Sequence, residues 1–387
     1  MGRFQQRRFP RQPSSVAVVA CAKYGFLELG APLIDVSLNG DKPISVRPEP
    51  VEGHEGFDKL SPNGVMYYAT LNNVAVVSRL LMRRPLSARA VVRMKGPLIW
   101  LDLDQAELDA AYDQSRYAPN VQQIIKRCAT NSDAMRSRIG APRRFSYGSA
   151  PGEGLDAYAT KSPNAPIHIF LHGGAWRGGL AKDYAFPAEM FVHAGAHFVV
   201  PDFAWVQETG GSLAPIAEQV RRAVAWVYRN AHEMGGDPNR IYVSGHSSGA
   251  HLAGVVLTTD WPQQFNLPAD VVKGGLCCSG IFDLTPVALS ARSAYVKFSD
   301  EIVQALSPQR HLEHLNVPVI VAYGTLETPE FQRQSRDFSA AVQTAGKRAQ
   351  LLIADGYNHF EIVETLANPY GVLGCAALKQ MSLLRVA

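Results

Sequence analysis

The tightest constraint in this 387-residue chain lies between the run Arg240-Ile241-Tyr242-Val243-Ser244 and a helix-forming stretch through Ala250, His251, Leu252, Ala253, Val255 and Val256. The residues joining them are Gly245-His246-Ser247-Ser248-Gly249. A strand that becomes a helix across so short a join has to turn sharply. Flanking side chains would collide there, which accounts for a glycine at each end. Such a turn lifts the central serine hydroxyl above the sheet edge. It also leaves the next backbone N–H at a helix N-terminus, where an anion is stabilised. The spacing predicts a strand over 240–244 and a helix over 247–258.

From Leu101 onward the pattern around this turn is regular. Helices are expected over 102–112 and 121–131, and a strand pair over 143–147 and 155–160. Strands over 167–171, 198–200, 271–278, 317–323 and 349–353 then alternate with helices over 182–194, 212–233 and 330–345, and a C-terminal helical pair follows. Alternation at this spacing makes a mostly parallel sheet covered by helices on both faces, an α/β architecture. A 47% hydrophobic content is enough for a substantial core. In such sheets reactive groups gather at the carboxyl ends of the strands, where Ser247 falls.

Residues 1–93 are of another kind. They hold 13 Lys/Arg against 7 Asp/Glu, whereas residues 94–387 hold 25 against 27. They sustain no helical or strand period, and the stretches 46–53 and 56–64 resemble translated intergenic repeat DNA of some bacterial genomes. The expectation is a disordered or spurious N-terminal extension over 1–93, ahead of a catalytic domain over 94–387 whose residues 94–140 form a helical cover. The near-neutral remainder excludes a nucleic-acid surface, and no apolar run is long enough to cross a bilayer. Five cysteines without a CxxC pair suggest free thiols in a reducing cytoplasm.

A serine nucleophile needs a base, an orienting acid and donors for an oxyanion. The donors are expected from His172-Gly173-Gly174-Ala175-Trp176, directly after the strand over 167–171, where a glycine pair lets backbone N–H groups approach a substrate oxygen. The matching donor is the N–H of Ser248. The base is expected after the last strand, and of the eleven histidines only His359 lies there. His246 and His251 flank the turn too closely to swing back over Ser247. His311 and His314 read as a solvated face, with no third ligand nearby to make a zinc site. For the acid, the loop after 317–323 offers Glu327 and Glu330. Glu330 follows Pro329 in a first helical turn, where the helix dipole explains an acid, so Glu327 is preferred. Trp176, Phe203, Trp205, Phe282 and Phe360, with Ala175, are the candidate pocket residues.

These strings, with SGIFDLTPV at 279–287, ETPEFQRQS at 327–335 and GYNHF at 356–360, resemble the α/β-hydrolase superfamily, in the branch of kynurenine formamidase (arylformamidase) and related carboxylesterases. The likeness spans about residues 101–384. It implies an α/β-hydrolase fold and Ser247, Glu327 and His359 as nucleophile, acid and base, with Gly173 and Gly174 in the oxyanion hole. The family acid is commonly aspartate, and formamidases often carry a larger aromatic where Ala175 stands. The expected function is a serine hydrolase cleaving carboxylic esters or aryl amides through an acyl-enzyme. Carboxylesterase activity is preferred, with arylformamidase activity as the alternative and a catalytically silent binding module as a third reading. A small-molecule ester or amide is the expected partner. No cofactor, metal, nucleic acid or membrane is implied, and a homodimer is left open.

Overall fold

The computed structural model describes residues 92–384 and, upstream of them, the strands Val18–Cys21, Phe26–Leu29, Ile34–Val36 and Met66–Tyr67. The chain divides into two compact units, Met1–Leu98 and Ile99–Ala387. In the first, those four strands and Val92–Met94 form an antiparallel sheet. The expectation for residues 1–93 otherwise lies outside the described residues.

The second unit is built on eight strands: β1 (Arg143–Ser146), β2 (Gly154–Tyr158), β3 (Ala165–Leu171), β4 (His197–Pro201), β5 (Gly236–His246), β6 (Gly274–Cys278), β7 (Val319–Gly324) and β8 (Ala349–Ala354). Their order is β8-β7-β6-β5-β3-β4-β2-β1. β3 to β8 run parallel, while β1 and β2 close one edge antiparallel. The chain leaves β3 on one side to make β4 and returns on the other to make β5, so the crevice between β3 and β5 is the topological switch point. Leu171 and Gly245 are register partners there, which brings the two glycine-rich turns side by side.

Alternation along the buried strands sorts their side chains onto two faces. Ile167, Ile169 and Leu171 face one core layer with Ile241, Val243 and Val321. Phe170, Phe198, Leu276 and Ile320 face the other. The helices that cover these faces are α1 (Gln105–Ala111), α2 (Val121–Ile139), α3 (Ala188–His193), α4 (Ala214–Asn230), α5 (Ser248–Leu257), α6 (Trp261–Phe265), α7 (Thr285–Leu289), α8 (Asp300–Leu306), α9 (Pro329–Thr344) and α10 (Val372–Gln380). The helix expected over 182–194 is split into a one-turn 3-10 helix, Ala181–Asp183, and α3. Pro187 between them disfavours helical backbone in the residue before it. The strand expected from 271 begins at Gly274, because Val271 and Val272 are buried in the preceding loop. Among the described residues Cys128, Cys277, Cys278 and Cys375 are free thiols, and no helix is long and apolar enough to cross a membrane.

Candidate active site

The turn after β5 is strained where the sequence requires it to be. Ser247 sits at φ 57°, ψ −123° as the N-cap of α5, a backbone conformation costly for any residue with a Cβ. Its N–H is held by the Cys278 carbonyl at 2.9 Å. A Cβ at Gly249 would stand 2.1 Å from the Leu171 oxygen and 2.4 Å from the His172 oxygen, and one at Gly245 would stand 2.1 Å from the Gly249 oxygen. The two glycines therefore let α5 start directly against the end of β3.

Ser247, His359 and Glu327 come together from three strand ends. His359 Nε2 lies 2.9 Å from Ser247 Oγ and His359 Nδ1 lies 2.8 Å from Glu327 Oε2. The carboxylate accepts from Nδ1–H, which leaves Nε2 to accept from the serine hydroxyl. The remaining carboxylate oxygen, Glu327 Oε1, accepts from Ser279 Oγ at 2.6 Å and from the Gly324 N–H at 2.7 Å. Glu330 is engaged elsewhere, in an ion pair with Arg333 and a hydrogen bond from Tyr112 Oη at 3.0 Å.

The loop after β3 wraps the other side. Gly174 has φ +123°, and a Cβ there would meet the Gly178 oxygen at 2.1 Å. Ala175 and Trp176 follow in the left-handed region, at φ 54° and 60°. Trp176 is tied at three points: its N–H donates to Ser248 Oγ (3.2 Å), its carbonyl accepts from the Val206 N–H (2.6 Å), and its indole Nε1–H donates to His251 Nδ1 (3.2 Å). Among the described residues, none of the backbone N–H groups of Gly173, Gly174 and Ser248 is engaged by a protein acceptor.

The aromatic candidates divide. Phe360 is half-buried and meets the His359 ring edge-on at 5.0 Å, and Trp176 anchors the glycine loop as described. Phe203 stacks on His172 at 4.4 Å, and half-buried Trp205 donates from Nε1 to the Gly179 carbonyl at 3.0 Å. Phe282 is corrected to a core residue: it is 0% exposed and stacks on Phe338 at 4.1 Å, so it presents no surface to a substrate. A cavity of about 760 Å³ lined by Asn131, Arg138, Met190 and Tyr370 contains none of the residues singled out in the sequence.

Several contributors were not legible beforehand. His246 Nε2 lies 2.7 Å from the His359 carbonyl, tying the His359 loop to the serine turn. Phe331 presents an edge to the His359 ring at 4.9 Å. Asn358 Oδ1 accepts from the N–H groups of Phe360 (2.9 Å) and Glu361 (3.0 Å), and Asn358 Nδ2 donates to Asn120 Oδ1 at the start of α2 (3.2 Å). Gln114, after α1, bonds Thr328 beside Glu327. The segment ahead of β1 thus braces both the Glu327 loop and the His359 loop.

Burial pushes His168 and His246 down to about 3 and His251 down to about 4, and for His246 the neighbouring His359 adds to the effect. A histidine whose folded value is depressed gives its full stability above the unfolded value and loses it as pH falls towards the folded one. Between pH 6.5 and about 4, each of these side chains costs about 1.4 kcal/mol per pH unit. Thermal melts are expected to be level from pH 8 to 7 and to fall steeply from pH 6 to 4.5. A melting temperature unchanged down to pH 4.5 would contradict the neutral, buried assignment.

A family model described as BD-FAE matches residues 155–274. The kynurenine formamidase of Danio rerio is 30% identical over 295 residues, which span 73% of this chain and 98% of that relative. The isoprenylcysteine alpha-carbonyl methylesterase of Arabidopsis thaliana is 24% identical over 243 residues, 57% of this chain and 56% of its own. Among solved structures, a thermophilic carboxylesterase cloned from a metagenomic library aligns with a TM-score of 0.56 at 19% identity, covering 71% of this chain and 99% of that one. Esterase LipW from Mycobacterium marinum also gives 0.56, at 17% identity, with 70% and 90% covered. The structural likenesses carry the fold, and the formamidase likeness runs through nearly the whole of its partner. The chain therefore belongs to the kynurenine formamidase family of α/β-hydrolases, and it is a hydrolase of carboxylic esters or amides.

Proposed function

We propose that this hydrolase works through an acyl-enzyme on Ser247 and prefers aryl amides of very small acids, N-formyl arylamines above all. His359 takes the Ser247 proton as the hydroxyl attacks the carbonyl, and Glu327 holds the imidazolium that forms. The N–H groups of Gly173, Gly174 and Ser248 receive the oxyanion, and their freedom from protein acceptors supports that role. His359 then hands its proton to the leaving amine, and water repeats the sequence in reverse. Ala175 and Phe360 are assigned to the wall around the reacting carbonyl, and Trp176, buried and bonded to His251, to holding the glycine loop in place. The free thiols support a reducing compartment, the cytoplasm.

The observation that carries the preference is the likeness to a kynurenine formamidase, which runs through 98% of that relative. This reverses the order expected from the sequence, in which carboxylesterase activity stands first. Ser247, Glu327 and His359 expose only 7, 1 and 3% of their surfaces, so bulk solvent has little access to the reacting groups. Aryl esters of the same small acids are the second reading, favoured by the methylesterase relative. The test is a formyl, acetyl and butyryl series on one arylamine and on p-nitrophenol. kcat/KM is expected to fall at least tenfold from formyl to butyryl in both, since each methylene that does not fit costs about 1–3 kcal/mol. Equal rates across the series would overturn the small-acyl assignment.

A further inference from the structure

Four of the eight described non-glycine residues in the left-handed region sit at this site: Ala175, Trp176, Ser247 and Ser279. The first two shape the glycine loop and the third is the candidate nucleophile. Ser279 has no part in either, yet it is 0% exposed and holds φ 54° just beyond the end of β6. Strain of this kind persists where surrounding structure over-determines it and is concentrated at functional sites. Here the over-determination is visible. The Ser279 N–H donates to the Ala322 carbonyl at 2.7 Å, and its hydroxyl donates to Glu327 Oε1 at 2.6 Å.

We propose that Ser279 is a positioning residue for the acid, and that its hydroxyl is what allows a glutamate to serve there. The inference rests on the Ser247–His359–Glu327 reading. Glutamate has one more rotatable bond than aspartate, so its carboxylate has to be immobilised before it can orient an imidazole. Two donors on Oε1, Ser279 Oγ–H and the Gly324 N–H, fix the carboxylate plane and leave Oε2 to face His359 Nδ1 at 2.8 Å. The end of β6 thereby sets two groups at once, because the preceding residue, Cys278, holds the Ser247 N–H through its carbonyl.

Two substitutions separate the hydroxyl from the backbone. Glycine adopts φ 54° without penalty, so Ser279→Gly relieves the strain and removes the whole hydroxymethyl group, while Ser279→Ala keeps the strain and removes the hydroxyl alone. Both variants are expected to lose about 10- to 100-fold in kcat on a p-nitrophenyl ester, the cost of a hydrogen bond to a buried charged group, with KM within about twofold of wild type. Ser279→Gly is expected to melt no lower than Ser279→Ala. In a Glu327→Asp background the same Ser279→Gly change is expected to cost less than threefold, because the shorter carboxylate no longer rests on that hydroxyl. Wild-type kcat in Ser279→Gly would overturn the proposal, and so would an equal cost of Ser279→Gly with and without the Glu327→Asp change. Fluorophosphonate labelling separates this failure from that of the underlying reading. An unlabelled wild-type Ser247 refutes the triad itself, whereas a labelled Ser247 with an unaffected Ser279→Gly refutes only the positioning role.

Discussion

Ser247→Ala is expected to remove hydrolysis of every ester and amide tested, by about 10⁴- to 10⁶-fold in kcat, while leaving the fold intact. The size follows from the chemistry. Without the hydroxyl no acyl-enzyme forms, and the oxyanion donors retain only a small residual effect on direct attack by water. The neutrality towards folding follows from the geometry. Among the described residues Ser247 Oγ has one hydrogen-bond partner, His359 Nε2 at 2.9 Å, and alanine adopts φ 57° at the same cost as serine. The melting temperature should move by no more than a degree or two, and a fluorophosphonate probe should leave no adduct. Activity within tenfold of wild type would show that the turn is not the site of acyl transfer.

Gly249→Ala is expected to be among the most damaging single methyl groups that the described residues could take. Its Cβ would enter within 2.1 Å of the Leu171 oxygen and 2.4 Å of the His172 oxygen. Those atoms are backbone at the end of β3, flanked on both sides by parallel strands, so they cannot rotate away as a side chain would. The beginning of α5 has to lift off the sheet instead, carrying the Ser248 N–H away from Gly173 and Gly174. A loss of about 3 kcal/mol or more is expected, read as a lower midpoint in urea with an unchanged slope, together with loss of activity in whatever folds. Gly152→Ala is the control. A Cβ there meets nothing within 4 Å, so its stability is expected within about 0.5 kcal/mol of wild type. Equal stability for the two variants would mean that α5 does not begin against β3 as described.

The parts of the site that were legible in the sequence are those carried by local backbone geometry. A glycine on each side of Ser247 and a glycine pair after β3 are demands of tight turns, and a turn acts on its immediate neighbours. His359 could be read because it alone follows the last strand, and Glu327 was separable from Glu330 because a proline already placed Glu330 in a helix. Phe282 was misread for a related reason. An aromatic near a strand end looks the same in sequence whether it faces a cleft or, as here, stacks on Phe338 in the core.

Other contributors depend on residues far apart in the chain. Ser279 lies 48 residues from the glutamate it supports, Gln114 lies 214 from Thr328, and Asn120 lies 238 from Asn358. Nothing in the spelling of SGIFDLTPV distinguishes a hydroxyl that grips a carboxylate from one that caps a turn. By itself the sequence determined the architecture and singled out Ser247, His359 and the glycines at two tight turns as candidates, since periodicity and turn sterics are properties of neighbouring residues. Only the tertiary structure decided how the Glu327 carboxylate is immobilised, which histidines are locked neutral, and how deeply Ser247 and His359 are buried. Those outcomes depend on burial and on hydrogen-bond distances of a few ångströms, both created when strand ends far apart in the chain meet at one edge of the sheet.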